Sequence, residues 1–202
     1  MTDGAALPLA LSDLVDDLRR RGLLVGSVTA GHAFGGDLEA VTPVAALGLA
    51  RHVLGADAIV VSMGPGVVGT GTAMGTSAIE ASSLLDAAEL RDGLPILCVR
   101  CSEGDPRSRH RGISHHVGTT LGLTHCTPLA AAVPVGVRDL TGVTAVETPD
   151  LPDPRSLLDA HDLEVTTMGR RYEQDRLFFT ASVAAGVLAA RSIDRSTGIG
   201  QG

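Results

Sequence analysis

Lysine is missing from this 202-residue chain, whose 16 basic residues are all arginine. Without a lysine amine there is no Schiff base, which excludes pyridoxal-type and class I aldolase chemistry, and no lysine for a Walker-type phosphate loop. Tryptophan is missing too, and aromatic residues make up 2% of the chain, too few for the exposed rings on which RNA-recognition sheets stack bases. The core is therefore expected to be aliphatic. The three cysteines, Cys98, Cys101 and Cys126, are odd in number and follow no secretory signal, a usage that fits a cytoplasmic location. Cys98 and Cys101 form a C-x-x-C inside an apolar, strand-like run, where their side chains would face opposite ways; a structural role is expected rather than chelation. No uninterrupted apolar run reaches about 18 residues, so no membrane partner is expected. A net charge of −7 likewise argues against nucleic acid as a partner.

What is present reads as one folded domain over residues 1–191, followed by a flexible tail over 192–202. Hydrophobic residues are 44% and charged residues 19% of the chain, the balance of a globular protein. Apolar periodicity alternates between helical stretches and short β-branched runs. Strands are expected at Leu23–Gly31, Asp57–Met63, Leu94–Cys101, Leu129–Val137, Val143–Glu147 and Leu163–Thr167. Helices are expected near Leu7–Leu18, after Thr42–Pro43, from Ser77 to about Leu90, from Ser114 to Leu123, from Asp153 to about Ala160, and from Gln174 to Arg191. This alternation implies an α/β fold of three layers, Rossmann-like, in which a mostly parallel sheet carries helices on both faces.

In such sheets ligands bind beyond the carboxyl ends of the strands, where loops and helix N-termini converge. The polar segments of this chain follow its expected strands. The first contains His32, Asp37 and Glu39, with Phe34 between His32 and the Gly35–Gly36 pair. The second holds Gly64, Gly66, Gly69, Thr70, Gly71 and Thr72, a backbone able to turn several N–H groups toward one anion; the same glycines also suit close packing against a neighbour. The third segment, SEGDPRSRHRGISHH, alternates Arg107, Arg109 and Arg111 with His110 and ends in Ser114, His115 and His116. Guanidinium forks take carboxylate or phosphate oxygens in pairs, and an imidazole beside them suits proton transfer. A solvated basic loop balanced by Glu103 and Asp105 is the alternative. Adjacent histidines usually face apart, so one of His115 and His116 is expected to act. Gly169 and Arg170 lie in a fourth segment. His32, Asp37 and Glu39 with His115 or His116 are acceptable metal-ligand types but lack a dense ligand spacing, so no metal is assigned and no cofactor is identified.

Five segments, MTDGAALPLALS, AGHAFGGDLEAVT, GPGVVGTGTAMGTSAIE, DPRSRHRGISHH and TMGRRYEQDRLFF, taken in this order, resemble consecutive motifs of an uncharacterised bacterial family, the domain-of-unknown-function family DUF3866. The resemblance covers nearly the whole chain and corresponds to the C-terminal two-thirds of longer members. It implies no reaction, since the family has none assigned. It does imply a strand leading into Thr2 and Asp3 in those members, which would make Asp3 a candidate acid on a further carboxyl-end loop.

The sequence thus supports an enzyme acting on a small anionic metabolite, phosphorylated or carboxylated. The glycine loop, Arg107, Arg109, Arg111, Ser114, Gly169, Arg170 and His32 would bind the anion. His115 or His116, with Asp37 or Glu39, would move a proton. The alternative is a non-catalytic ligand-binding or assembly module, for which the small residues Ala181, Ala184, Ala185, Gly186, Ala189 and Ala190 permit a homodimer.

Overall fold

A computed structural model describes residues 8–64, 67–132 and 136–198. The chain divides into two compact units, Met1–Gly93 and Leu94–Gly202. Among the described residues its content is mixed α/β, with six α-helices and three sheets of two strands each.

In the first unit, Ser12 caps α1 (Asp13–Arg20) by accepting the Val15 N–H at 3.4 Å. Acidic residues in its first turn and arginines in its last complement the helix dipole. The fully buried β1 (Val28–Ala30) pairs in parallel with β2 (Leu38–Ala40), Val28 opposite Leu38. Only residues 31–37 link these strands, without the helix that usually makes a parallel crossover. Gly36 allows this short return: a Cβ there would lie 2.9 Å from both the Thr29 nitrogen and the Leu38 oxygen. Thr42 and Pro43 open α2 (Pro43–His52) as the sequence predicts. α3 (Glu80–Leu90) follows a short 3-10 turn capped by Thr76 rather than Ser77. Among the described residues the expected strand Asp57–Met63 joins no sheet beyond an isolated bridge at Met63, and Val60 within it is 88% exposed. An all-apolar run becomes a buried strand only where neighbours cover both faces. Here the run is left open.

The second unit opens with residues 95–97, which flank a parallel pair. Leu97 N–H donates to the Leu129 oxygen at 2.8 Å and Leu129 N–H to the Pro95 oxygen at 3.0 Å. The expected strand over Leu94–Cys101 shrinks to this ladder and to β3 (Cys101–Ser102), which pairs antiparallel with β4 (Gly112–Ile113). α4 (His115–Leu123) is capped by Ser114 as the sequence predicts. β5 (Leu129–Ala132) pairs in parallel with β6 (Thr144–Glu147); the expected continuation of β5 across residues 133–135 lies outside the described residues. α5 (Pro154–Ala160) starts at the Asp153 cap. Of the expected strand Leu163–Thr167, a single bridge from Thr167 to Arg170 forms.

The last helix, α6 (Arg176–Gly198), continues beyond its expected end at Arg191. Leu177, Ala181, Ala184 and Leu188 recur at helical spacing and pack into the core with Val99, Cys101, Val117, Leu121, Ala130 and Ala131. Two of the small residues that permitted a homodimer, Ala181 and Ala184, are therefore used within this unit. Residues 176–193 are long and apolar enough, by length and composition alone, to cross a membrane, a property that a search for uninterrupted apolar runs misses. Burying Cys101 in this core pushes its thiol up to about 12, so it remains protonated and inert.

Directly after β3 the chain presses against residues 170–175. A Cβ on Gly104 would fall 2.2 Å from the Gln174 carbonyl oxygen, so this contact requires glycine. Gly104→Ala is expected to lower stability by about 1–3 kcal/mol in urea unfolding. Gly118→Ala, where a Cβ would meet nothing within 4 Å, is expected to leave the midpoint unchanged or raise it. Equal midpoints for the two variants would contradict the close approach.

Candidate functional site

The Arg/His segment does follow a strand. Pairing of Cys101 with Ile113 and of Ser102 with Gly112 closes residues 103–111 into a loop, and the Ser114 N–H donates to the Arg100 oxygen at 2.8 Å. Two fully buried carboxylates hold this loop. Asp105 accepts from the Arg107 backbone N–H and Nε, each at 3.0 Å, and from Arg107 Nη2 at 2.9 Å. Arg100 and Arg170 face the same carboxylate at 3.6 and 3.5 Å. Asp175 accepts from Ser102 Oγ at 2.5 Å, from the Glu103 N–H at 2.9 Å and from Arg170 Nε at 3.0 Å. Ser102 Oγ in turn accepts the Asp105 backbone N–H at 2.9 Å, so one hydroxyl links the Asp175 carboxylate to the Asp105 backbone, while Arg170 faces both carboxylates.

The charges respond to this arrangement. Hydrogen bonds from the Arg107 side chain, more than any other cause, hold the Asp105 carboxyl well below the usual carboxylate range against the opposing effect of burial. For Asp175, burial alone would push the carboxyl up. Ser102, the Glu103 N–H, Arg170 and the Gly104 N–H outweigh it and leave the carboxyl lowered.

Above this base three imidazoles meet. His110 closes a 3-10 turn, Ser108–His110, while His115 and His116 are the first two residues of α4. The ring centroids lie 5.1 Å apart for His110 and His115, 5.2 Å for His110 and His116, and 4.1 Å for His115 and His116. The expectation that adjacent histidines face apart suits a strand. On a helix they diverge by about 100°, and both lean back toward the N-terminus, here toward His110. His110 is buried with Nδ1 2.8 Å from Ser114 Oγ, and burial, followed by the charge of Arg107, pushes its ring down to about 4. Burial also lowers His116, with the neighbouring His115 second. His116 Nδ1 is buried and has no hydrogen-bond partner. His115 is exposed.

The other expected site residues divide between the units. His32, Asp37, Glu39, Gly64, Gly69, Thr70, Gly71 and Thr72 belong to the first, whereas Arg107, Arg109, Arg111, Ser114, His115, His116, Gly169 and Arg170 belong to the second. Asp3 and Gly66 lie outside the described residues. Asp37 accepts from the Ser27 backbone and hydroxyl and pairs with Arg19, and the Ser27 N–H is the main cause that lowers its carboxyl. Glu39 accepts the Gly35 N–H at 2.9 Å. His32 and Phe34 are exposed.

The glycine segment closes on itself. Thr70 N–H donates to the Gly75 oxygen at 2.7 Å, Gly75 N–H donates to Thr72 Oγ1 at 3.0 Å, and the two threonine hydroxyls lie 3.2 Å apart. Gly169 turns with a φ of 77° between Thr167 and Arg170. Arg107 and Arg170 are engaged with Asp105 and Asp175, while Arg109 and Arg111 are exposed and their side chains make no hydrogen bond or ion pair among the described residues. Arg100, Ser102 and Asp175 complete the cluster without having been singled out by the sequence, and His110, read there as part of the Arg/His alternation, joins the two expected histidines. Asp175 carried a signal, an acid set directly at the start of a long apolar helix beside two arginines.

The buried carboxylates set the response to acid. A carboxyl with a depressed folded-state pKa stabilises the fold above its unfolded value of about 3.9, and that stability is lost as pH falls through the folded value. Urea midpoints are therefore expected to be level above about pH 5 and to fall below about pH 4. Asp175→Asn is expected to cost about 3–5 kcal/mol at pH 7 and to flatten the acid limb. A variant with the parent's midpoint and slope would contradict this role.

No curated protein and no solved structure matches the chain at a significant level. The family resemblance carried by its motifs is borne out, because the family described as "Protein of unknown function (DUF3866)" matches residues 1–186 of the 202. The chain belongs to this DUF3866 family.

Proposed function

We propose that the protein is a cytoplasmic enzyme acting on a small anionic metabolite, phosphorylated or carboxylated, with His110, His115 and His116 as the reacting centre and Arg109 and Arg111 as the anion clamp. The observation that carries this reading is the division of labour among the arginines. Arg100, Arg107 and Arg170 are held by buried carboxylates, whereas Arg109 and Arg111 extend from the same loop with no side-chain partner among the described residues. A free guanidinium fork beside imidazoles suits recognition of an oxyanion next to a group that accepts a proton. The odd number of cysteines, Cys98, Cys101 and Cys126, fits the compartment. The parallel pairings beside β5 and between β5 and β6 support membership of a larger Rossmann-like, three-layer sheet.

The assembly-module reading has its own support in the first unit. There the threonine hydroxyls turn inward, and Val60, Val67, Val68 and Met74 are each more than half exposed, as surfaces that meet a partner often are.

Arg109→Ala and Arg111→Ala are each expected to weaken binding of inorganic phosphate or citrate about tenfold in calorimetric titration while leaving the unfolding temperature unchanged. Unaltered affinity in both would contradict the clamp. A fall of many degrees in unfolding temperature would make the loop a structural element instead.

A further inference from the structure

We infer that His110, His115 and His116 form a binding site for one divalent transition-metal ion of the zinc type, with a fourth position open to water or to an oxygen of the substrate anion. This rests on the reading of the same cluster as the reacting centre and names the group that the centre holds. One ring nitrogen from each histidine lies within 4.8 Å of the others. An ion 2.0–2.1 Å from each nitrogen in a tetrahedral site would set them about 3.4 Å apart, so the three rings close in on the ion as it binds. Three imidazoles, with no thiolate and no carboxylate among them, suit zinc, cobalt, nickel or copper rather than calcium or magnesium.

The surroundings are those of a ligand set held ready. Ser114 Oγ contacts His110 Nδ1 at 2.8 Å, which leaves Nε2 open and fixes the ring from behind, as outer hydrogen bonds do for metal-bound histidines. His116 Nδ1, buried without a hydrogen bond, is a polar atom whose burial calls for a partner; a metal ion supplies one. His115, on the exposed side, completes the set.

The group contains no fourth histidine, cysteine, aspartate or glutamate among the described residues. A site with three protein ligands keeps one position for chemistry. The charge balance points the same way, since the loop's arginines outnumber Asp105 and oppose a bare dication. An anion on the fourth position offsets that opposition, and Arg109 and Arg111 are free to hold the rest of it.

The test uses the full chain, stripped with EDTA and titrated at pH 7.5 with zinc sulfate in a calorimeter and with cobalt chloride in a spectrophotometer. The expected result is one equivalent bound, with the intense visible bands of four-coordinate cobalt. His115→Ala, at an exposed position that folding does not need, is expected to weaken zinc binding at least a hundredfold. His116→Gln is expected to do the same. A His52→Ala, His161→Ala double variant, which removes two exposed histidines outside the cluster, is expected to bind as the parent does. Failure to bind one equivalent, or unchanged affinity in His115→Ala, overturns the inference. Phosphate titrated into the metal-free protein separates it from the anion-binding reading: phosphate binding without zinc binding overturns the metal site alone, and zinc binding without phosphate binding overturns the clamp alone.

Discussion

The site depends on a pair of buried carboxylates. Asp105 and Asp175 come from segments seventy residues apart in the chain, and each would be costly to bury alone. Bridged by Arg170 and flanked by Arg100, Arg107 and the Ser102 hydroxyl, they tie the loop after β3 to the start of α6. Removing either acid strands at least one guanidinium. The network therefore specifies one loop conformation, and that conformation brings His110 to the histidines that open α4.

The parts of this arrangement that were legible in the sequence are local. Ser114 announced α4, Asp153 and Pro154 announced α5, and Thr42 with Pro43 announced α2, because a helix start is decided within four residues. The Arg/His segment stood out because its residue types are unusual in an acidic chain. The strands were less legible. Asp57–Met63 and Leu94–Cys101 have the apolar content of buried strands, but pairing is decided by distant neighbours that composition does not reveal. The roles of the arginines were equally hidden. Arg107 and Arg109 look alike in sequence, yet the first is consumed by Asp105 while the second is left exposed. Nothing local distinguishes them, because the difference lies in where Asp105 is buried.

Within the second unit, chemistry and scaffold are thus separated by position on one loop. Its base is neutralised and buried, and its tip and the α4 N-terminus carry the free guanidiniums and the imidazoles. The first unit follows a different rule. Its glycine segment satisfies its own threonines, Asp37 braces Ser27 and Arg19, and Glu39 holds the Gly35 backbone. Residues that share a chemical vocabulary with the site therefore serve its turns.

The central claim is that three imidazoles lie side by side, with His110 and His116 uncharged at neutral pH. Long-range proton–nitrogen correlation spectra of the histidine rings, with NOEs between them, test it most directly. The account predicts contacts among His110, His115 and His116 and neutral-ring nitrogen shifts for His110 and His116 at pH 7. Fully protonated rings at that pH, or no contact between His110 and the α4 histidines, would contradict it.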